Sequence, residues 1–302
     1  FILVLMFVPN RHPGGGQRFD FGGAGTLFIA LVSLLLALSF LQVGGFSGWM
    51  IGALLLVAVV TLIVFLRLER RAQQPMVELK LFRNALFSIN LATAFLTFVA
   101  SAGVTLLLPL YLQNVMGYDP QKTGLLMIVS PLAMALVAPL SGALSDRLGS
   151  RLLTTVGLAV ALVGYFAFVS LNEHTSTLAY ILSYAAIGMG MGIFQSPNNS
   201  AVMGSAPKDR LGVASGLLSL TRVLGQTVGI SLLGALWEAS VLRLNQGGKV
   251  MDATRAPILA QVGGLTIAMI FIVAVIVLAL GLSAWALITV TRTKNTRAAE
   301  LP

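Results

Sequence analysis

Eight polar side chains interrupt long apolar runs and are the first places to look for chemistry: Asn90, Gln113, Gln195, Asn198, Asn199, Arg222, Gln226 and Gln261. Amides and a guanidinium do not attack bonds. They form directional hydrogen bonds, and in hydrocarbon they are costly unless paired or set against a water-filled path. Arg222 is the one charge inside a run. Counting back about 20 residues, the length of one span, from Trp237 places it roughly five residues inside the hydrocarbon boundary. Its stem can snorkel to the headgroups, it can pair with a loop acid, or it can act in gating or the solute path. The sequence leaves these open. Gln113, Gln195 and Gln226 can equally bond between helices. Tyr111, Met189, Met191 and Phe194 offer pliable apolar walls that suit loose recognition of amphipathic or cationic molecules, and they are also ordinary packing residues. Covalent and metal chemistry lack their residues: cysteine is absent, and the two histidines, His12 and His174, fall in loops. No catalytic residue, metal site or cofactor is expected.

A second constellation is the run Gly142-Ala143-Leu144-Ser145-Asp146-Arg147-Leu148-Gly149-Ser150-Arg151, between two apolar segments. Gly149 permits a tight turn there. Arg147 and Arg151 anchor the turn at a headgroup surface, and Asp146 can sit against a helix N-terminus or a basic side chain. An ordinary basic loop would show much of the same pattern.

These residues need elements to hold them, and composition says which. Hydrophobic residues make up 57% of the 302 and charged residues only 10%, against about 25% charged in soluble domains. Too little polar surface remains to cover a water-soluble core, so the expected solvent is lipid. Apolar runs long enough for a helical span cover 21–41, 49–66, 86–112, 124–144, 152–171, 177–203, 211–237 and 258–290, and all ten acidic residues fall outside them. Alternate connections differ in charge. One set carries fourteen Lys and Arg, including Arg67, Arg70, Arg71, Arg147, Arg151, Lys208 and Arg210; the other carries Lys122, Arg243, Lys249 and Arg255. The positive-inside rule puts the first set and the C-terminus in the cytoplasm of a multi-pass plasma or inner-membrane protein. The net charge of +9 is scattered over short loops with no basic face, so no nucleic-acid partner is expected.

The expected organisation is all-α. Residues 1–9 are expected to be the end of a membrane helix whose beginning is missing, and 10–20 a cytoplasmic loop. A helical pair spans 21–66, a basic linker 67–85, six helices 86–290, and a cytoplasmic tail 291–302. The glycines at 188, 190 and 192 sit in an apolar helix with no preceding strand, which excludes a nucleotide loop and predicts close helix packing.

The Gly142–Arg151 run resembles the G-x-x-x-D-R-x-G-R-[RK] loop of the major facilitator superfamily, with Gly142, Asp146, Arg147, Gly149 and Arg151 matching and Ser150 where a basic residue is usual. Tyr111-Leu112-Gln113, Gly117-Tyr118, the 188–192 glycines, Gly212–Gly216 and Arg222–Gly225 follow in an order similar to the C-terminal half of its fourteen-helix drug:proton antiporters. The resemblance implies a six-helix bundle preceded by an extra transmembrane hairpin, and a partner in the missing N-terminal half. It also implies efflux by alternating access, with the proton-coupling carboxylate in that other half. A uniporter or metabolite carrier of the same fold, or a truncated non-transporting membrane protein, would use the same residues.

Overall fold

The computed structural model describes residues 20–43, 46–72, 79–245 and 252–299; the expected helix end at 1–9 and nearly all of the loop at 10–20 lie outside them. The protein is an all-α membrane protein. Among the described residues, eight helical segments are long and apolar enough to cross a bilayer, one for each expected span. They are α1 (Phe21–Val43), α2 (Gly48–Arg71), α3 (Ala85–Leu110), α4 with α5 (Pro120–Met127 and Val129–Leu148), α6 (Ser150–Phe168), α7 (Thr177–Gly204), α8 (Leu211–Leu244) and α9 (Ile258–Ala299).

Several helices outrun the expected spans because polar residues extend them beyond hydrocarbon. Asp119 caps α4 by accepting from the Lys122 N–H at 2.7 Å, with Pro120 at the first helical position. Asn84 and Ser176 cap α3 and α7 in the same way. α2 runs past position 66 to Arg71 and takes Glu69 with it, buried at 4% exposure. Glu238 lies within α8 and Asp146 in the last turn of α5. The acids are therefore not all outside the helices: they occupy helix ends, where the chain stays helical after the lipid has stopped. The expected tail at 291–302 is helical as far as Ala299. The α4–α5 span breaks at Ile128, three residues before Pro131, whose ring lacks an N–H and clashes with the carbonyl one turn back.

The most extensive seams are α6–α7, α5–α7 and α3–α8, and α9 closes the group by packing on α3, α6 and α8. Glycines set these approaches. A Cβ at Gly157 would lie 2.5 Å from the Phe194 amide nitrogen, and one at Gly164 would lie 2.6 Å from the Ser183 carbonyl oxygen. Gly190 faces Ala161 of α6, whereas Gly188 and Gly192 face Ser130 and Met134 of α5. The 188–192 glycines thus serve two seams at once, as close packing of membrane helices requires. On α8, Gly225 and Gly229 do the same against Phe95, Phe98 and Val99 of α3.

α1 and α2 form an antiparallel pair that meets the rest mainly through α1 on α8, where the Ser231 hydroxyl donates to the Leu38 carbonyl at 3.1 Å. Between this pair and α8 lies an apolar groove of about 210 Å³, lined by Leu31, Leu55, Ala58, Leu62, Leu220 and Leu224 among others.

Candidate functional site

Helix α8 has three faces. One, with Ala214, Leu218, Gly225, Gly229 and Leu233, is buried against α3. A second, with Leu220, Leu224 and Ser231, meets the α1–α2 pair. The third carries Ser215, Ser219 and Gln226, all exposed, with Arg222 half-buried. Their spacing of four, three and four residues puts them on one helical stripe. Sequence reasoning missed Ser215 and Ser219, although that spacing was readable beside Arg222 and Gln226.

Arg222 is held at membrane depth. It lies eleven residues into α8, roughly 16 Å from the helix start at 1.5 Å per residue. Its guanidinium carbon sits 5.2 Å from the centre of the Phe98 ring, a cation–π contact, and its Nε is buried without a hydrogen-bond partner. Phe98 Cβ lies 2.9 Å from where a Gly225 side chain would begin, one turn further into the span. The side chain thus turns onto α3 instead of extending to the helix end. No carboxylate pairs with it among the described residues.

On α7 the candidates divide by face. Asn198 is 1% exposed and its Oδ1 has no partner. It stands one turn from Val202, which packs in a cluster with Phe98 and Leu218. Gln195 and Asn199 are half-buried and Met189 is 38% exposed. Met191 and Phe194 are buried in the core, Phe194 beside Leu158 of α6 and Ala279 of α9. Gln113 is exposed in the turn of π-helix that follows α3. Tyr111 is buried and donates from its hydroxyl to the Asn172 carbonyl at 2.8 Å, fastening the end of α3 to the α6–α7 loop. The structure therefore brings Arg222 and Gln226 onto one open face, leaves Asn198 as a buried acceptor nearby in register, and puts Tyr111, Met191 and Phe194 into packing.

The Gly142–Arg151 run forms the sharp joint between α5 and α6. Gly149 alone connects them at φ +88°, a conformation that side-chain-bearing residues rarely adopt. Asp146, Arg147 and Gly149 are exposed, and Gly142 and Arg151 are half-buried. Asp146 makes no hydrogen bond or ion pair among the described residues, and no side chain caps α6. Asp146 is thus bonded neither to the start of α6 nor to a basic side chain among the described residues.

At the opposite end Asp252 accepts from the backbone and side chain of Thr254, which holds its carboxyl below the ordinary aspartate range. Among the described residues no group of three or more His, Cys, Asp or Glu could hold a metal ion.

Residues 16–230 match the family model of the Major Facilitator Superfamily. The chain is 31% identical to the multidrug resistance protein Stp of Mycobacterium tuberculosis over 263 residues, which is 86% of this chain and 49% of Stp. It is 37% identical to the uncharacterized transporter YebQ of Escherichia coli over 249 residues, 82% of this chain and 52% of YebQ. The chain spans about half the length of the curated relatives it matches. Among solved structures it is similar in fold to a bacterial homolog of the human lysosomal transporter Spinster, in an inward-facing and occupied conformation. That likeness has a TM-score of 0.52 at 19% identity and covers 88% of this chain and 66% of the other.

Proposed function

The chain belongs to the major facilitator superfamily, a family of transporters and not of enzymes, and from that premise we propose that it is the C-terminal portion of a proton-coupled multidrug efflux transporter. The observation that carries this is the polar stripe of α8, since Ser215, Ser219 and Gln226 exposed in line with a half-buried Arg222, on a helix long enough to span a bilayer, need an aqueous path or a second protein surface beside them. A relative named for multidrug resistance supports drug-like solutes, and within these we assign small amphipathic or cationic molecules.

In this reading residues 86–290 are one six-helix bundle, 21–66 an extra hairpin docked on it, and 67–85 a cytoplasmic linker. The partner is an N-terminal half that rocks against the bundle about a midplane site. Gln113, Met189, Gln195, Asn198, Asn199, Arg222 and Gln226 lie along the solute path, while Tyr111, Met191 and Phe194 position its helices. Within 86–290 the acids of the described helices are Asp146, Asp209 and Glu238, none in the middle of a span, so the coupling carboxylate is assigned to the other half.

Two measurements test the proposal. Reconstituted full-length protein should export a fluorescent amphipathic aromatic molecule when a proton gradient is imposed. Flux that persists unchanged after the gradient is collapsed would make it a uniporter, and energised efflux by residues 1–302 alone would overturn the two-half reading. For orientation, a cysteine placed at 146 should be shielded from an impermeant thiol reagent added outside intact cells, and one at 119 should react.

A further inference from the structure

Arg222 is a permanent cation roughly a third of the way along α8, and the described chain gives it no counter-charge. The nearest acid along its own helix, Glu238, is sixteen residues away, roughly 24 Å. Glu69 stands two residues from the end of α2. Phe98 lies 5.2 Å from the guanidinium carbon, Nε is buried without a partner, and the terminal N–H donors make no hydrogen bond among the described residues.

Further polar side chains stand in line with Arg222 on the helix. Gln226 lies one turn further into the span and Ser219 one turn back, both exposed. A surface meant to be sealed by another helix or by lipid looks different. The free side of α5 presents Leu132, Leu136, Leu140 and Leu144, all well exposed. The α8 stripe instead carries two serines and a glutamine in line with one fixed charge.

Resting on the transporter reading above, we propose that the α8 stripe is a carboxylate-binding subsite: Arg222 grips an anionic group on the transported molecule in fork geometry, and Ser219 and Gln226 add hydrogen bonds. The solutes it favours are hydrophobic acids and zwitterions, in preference to simple cations. A planar fork matches a carboxylate in two parallel bonds, which a lysine in the same place could not reproduce.

The test uses the natural full-length protein in nanodiscs of zwitterionic lipid, with three pyrene probes of equal length: pyrenebutyrate, pyrenebutanol and pyrenebutylamine. The butyrate should bind about tenfold more tightly than the alcohol, the scale of one charge-assisted pair, and the amine most weakly. Arg222→Gln should remove the preference for butyrate while leaving alcohol binding in place, and Arg222→Lys should restore only part of it. A butyrate preference that survives Arg222→Gln overturns the proposal. So does an unchanged preference accompanied by lost thermal stability, which would assign Arg222 to a counter-charge within the protein. Proton-driven export of any probe is measured on the same preparations. Export without charge discrimination at Arg222 sinks the subsite alone, whereas absence of export of every probe sinks the transporter reading.

Discussion

The α6–α7 seam and the docking of the α1–α2 pair are both apolar contacts between membrane helices, yet they are built in opposite ways. In the seam, Gly157, Ala161 and Gly164 meet Ser183, Ile187, Gly190 and Phe194 with almost no side chain between the backbones. At the hairpin, leucines from three helices surround a groove of about 210 Å³ that stays open. In water the leucines would be the stronger glue. In lipid, acyl chains are as apolar as leucine, so apolar area gains little and close backbone approach decides association. The seam is therefore the rigid part of the molecule and the hairpin its loosely held part.

The most forceful way to break this contrast is to put bulk into the seam. Gly190→Leu drives a side chain into the Ala161 backbone, and α7 cannot retreat from α6 without pressing into α5, where Gly188 and Gly192 already bring the backbones together. Overpacking of cores costs about 1–3 kcal/mol even where side chains can yield, and here the obstacle is backbone. The expected result is loss of the monodisperse peak in size-exclusion chromatography of detergent-solubilised protein. A folded Gly190→Leu variant with near-normal melting would show that the seam is looser than its geometry.

Next in size is Ser231→Ala. It removes the hydroxyl that donates to the Leu38 carbonyl, the side-chain hydrogen bond between α8 and α1. Interhelical hydrogen bonds in membranes contribute about 0.6 kcal/mol on average, because the alternative state finds partners too. A fall in thermal stability of that order is expected, with proteolysis in the α1–α2 region increasing before the six other spans are cut. Equal cutting of both regions would mean that the hairpin is not a separate, weaker unit.

Smaller still is Ala58→Leu, which fills part of the groove. In a soluble core, each buried methylene would contribute about 0.8 kcal/mol. Facing lipid, the added group trades one apolar neighbour for another, and stability should stay within about 0.5 kcal/mol of the parent, as for substitutions outside special features. A gain well above that, read from the melting midpoint, would show that the groove is a true void and not a lipid-filled one.

What the sequence makes legible follows the same physics. The spans are readable because a bilayer demands a long uninterrupted apolar run, and the glycines at 188–192 because small residues in such a run have few uses besides packing. Helix ends are less readable: Glu69 looks like a loop residue by its charge, but helical backbone continues past the hydrocarbon to Arg71. Faces are the hardest. Phe194 and Gln195 are neighbours in sequence, yet one is buried beside α6 and α9 and the other is half-buried. Which side of a helix meets its partners depends on contacts far away in the chain. For the same reason Tyr111, Met191 and Phe194 read as possible pocket walls, and Ser215 and Ser219 escape notice until α8 is seen to have a free side.

The smallest effect on stability belongs to Asp146, and there it sharpens the contrast from outside both regions. Asp146 is exposed in the last turn of α5, where the helix dipole disfavours an anion, and it stands just before the uncapped start of α6, where the dipole favours one. Each effect is worth roughly 0.3–1 kcal/mol at an exposed site, and they oppose each other. Asp146→Asn should therefore melt like the parent, unlike Ser231→Ala. A charge that contributes nothing to the fold yet sits at a one-residue joint has room to act on the balance between access states. The expectation is that Asp146→Asn changes transport rate at equal expression, by about tenfold if a contact worth about 1.4 kcal/mol is lost in one state, and that Asp146→Glu is milder because it keeps the charge. Thermal destabilisation of Asp146→Asn would make the residue structural, and unchanged transport would leave it an ordinary loop charge. Transport altered at constant stability is the one outcome that assigns it to the moving part of the molecule.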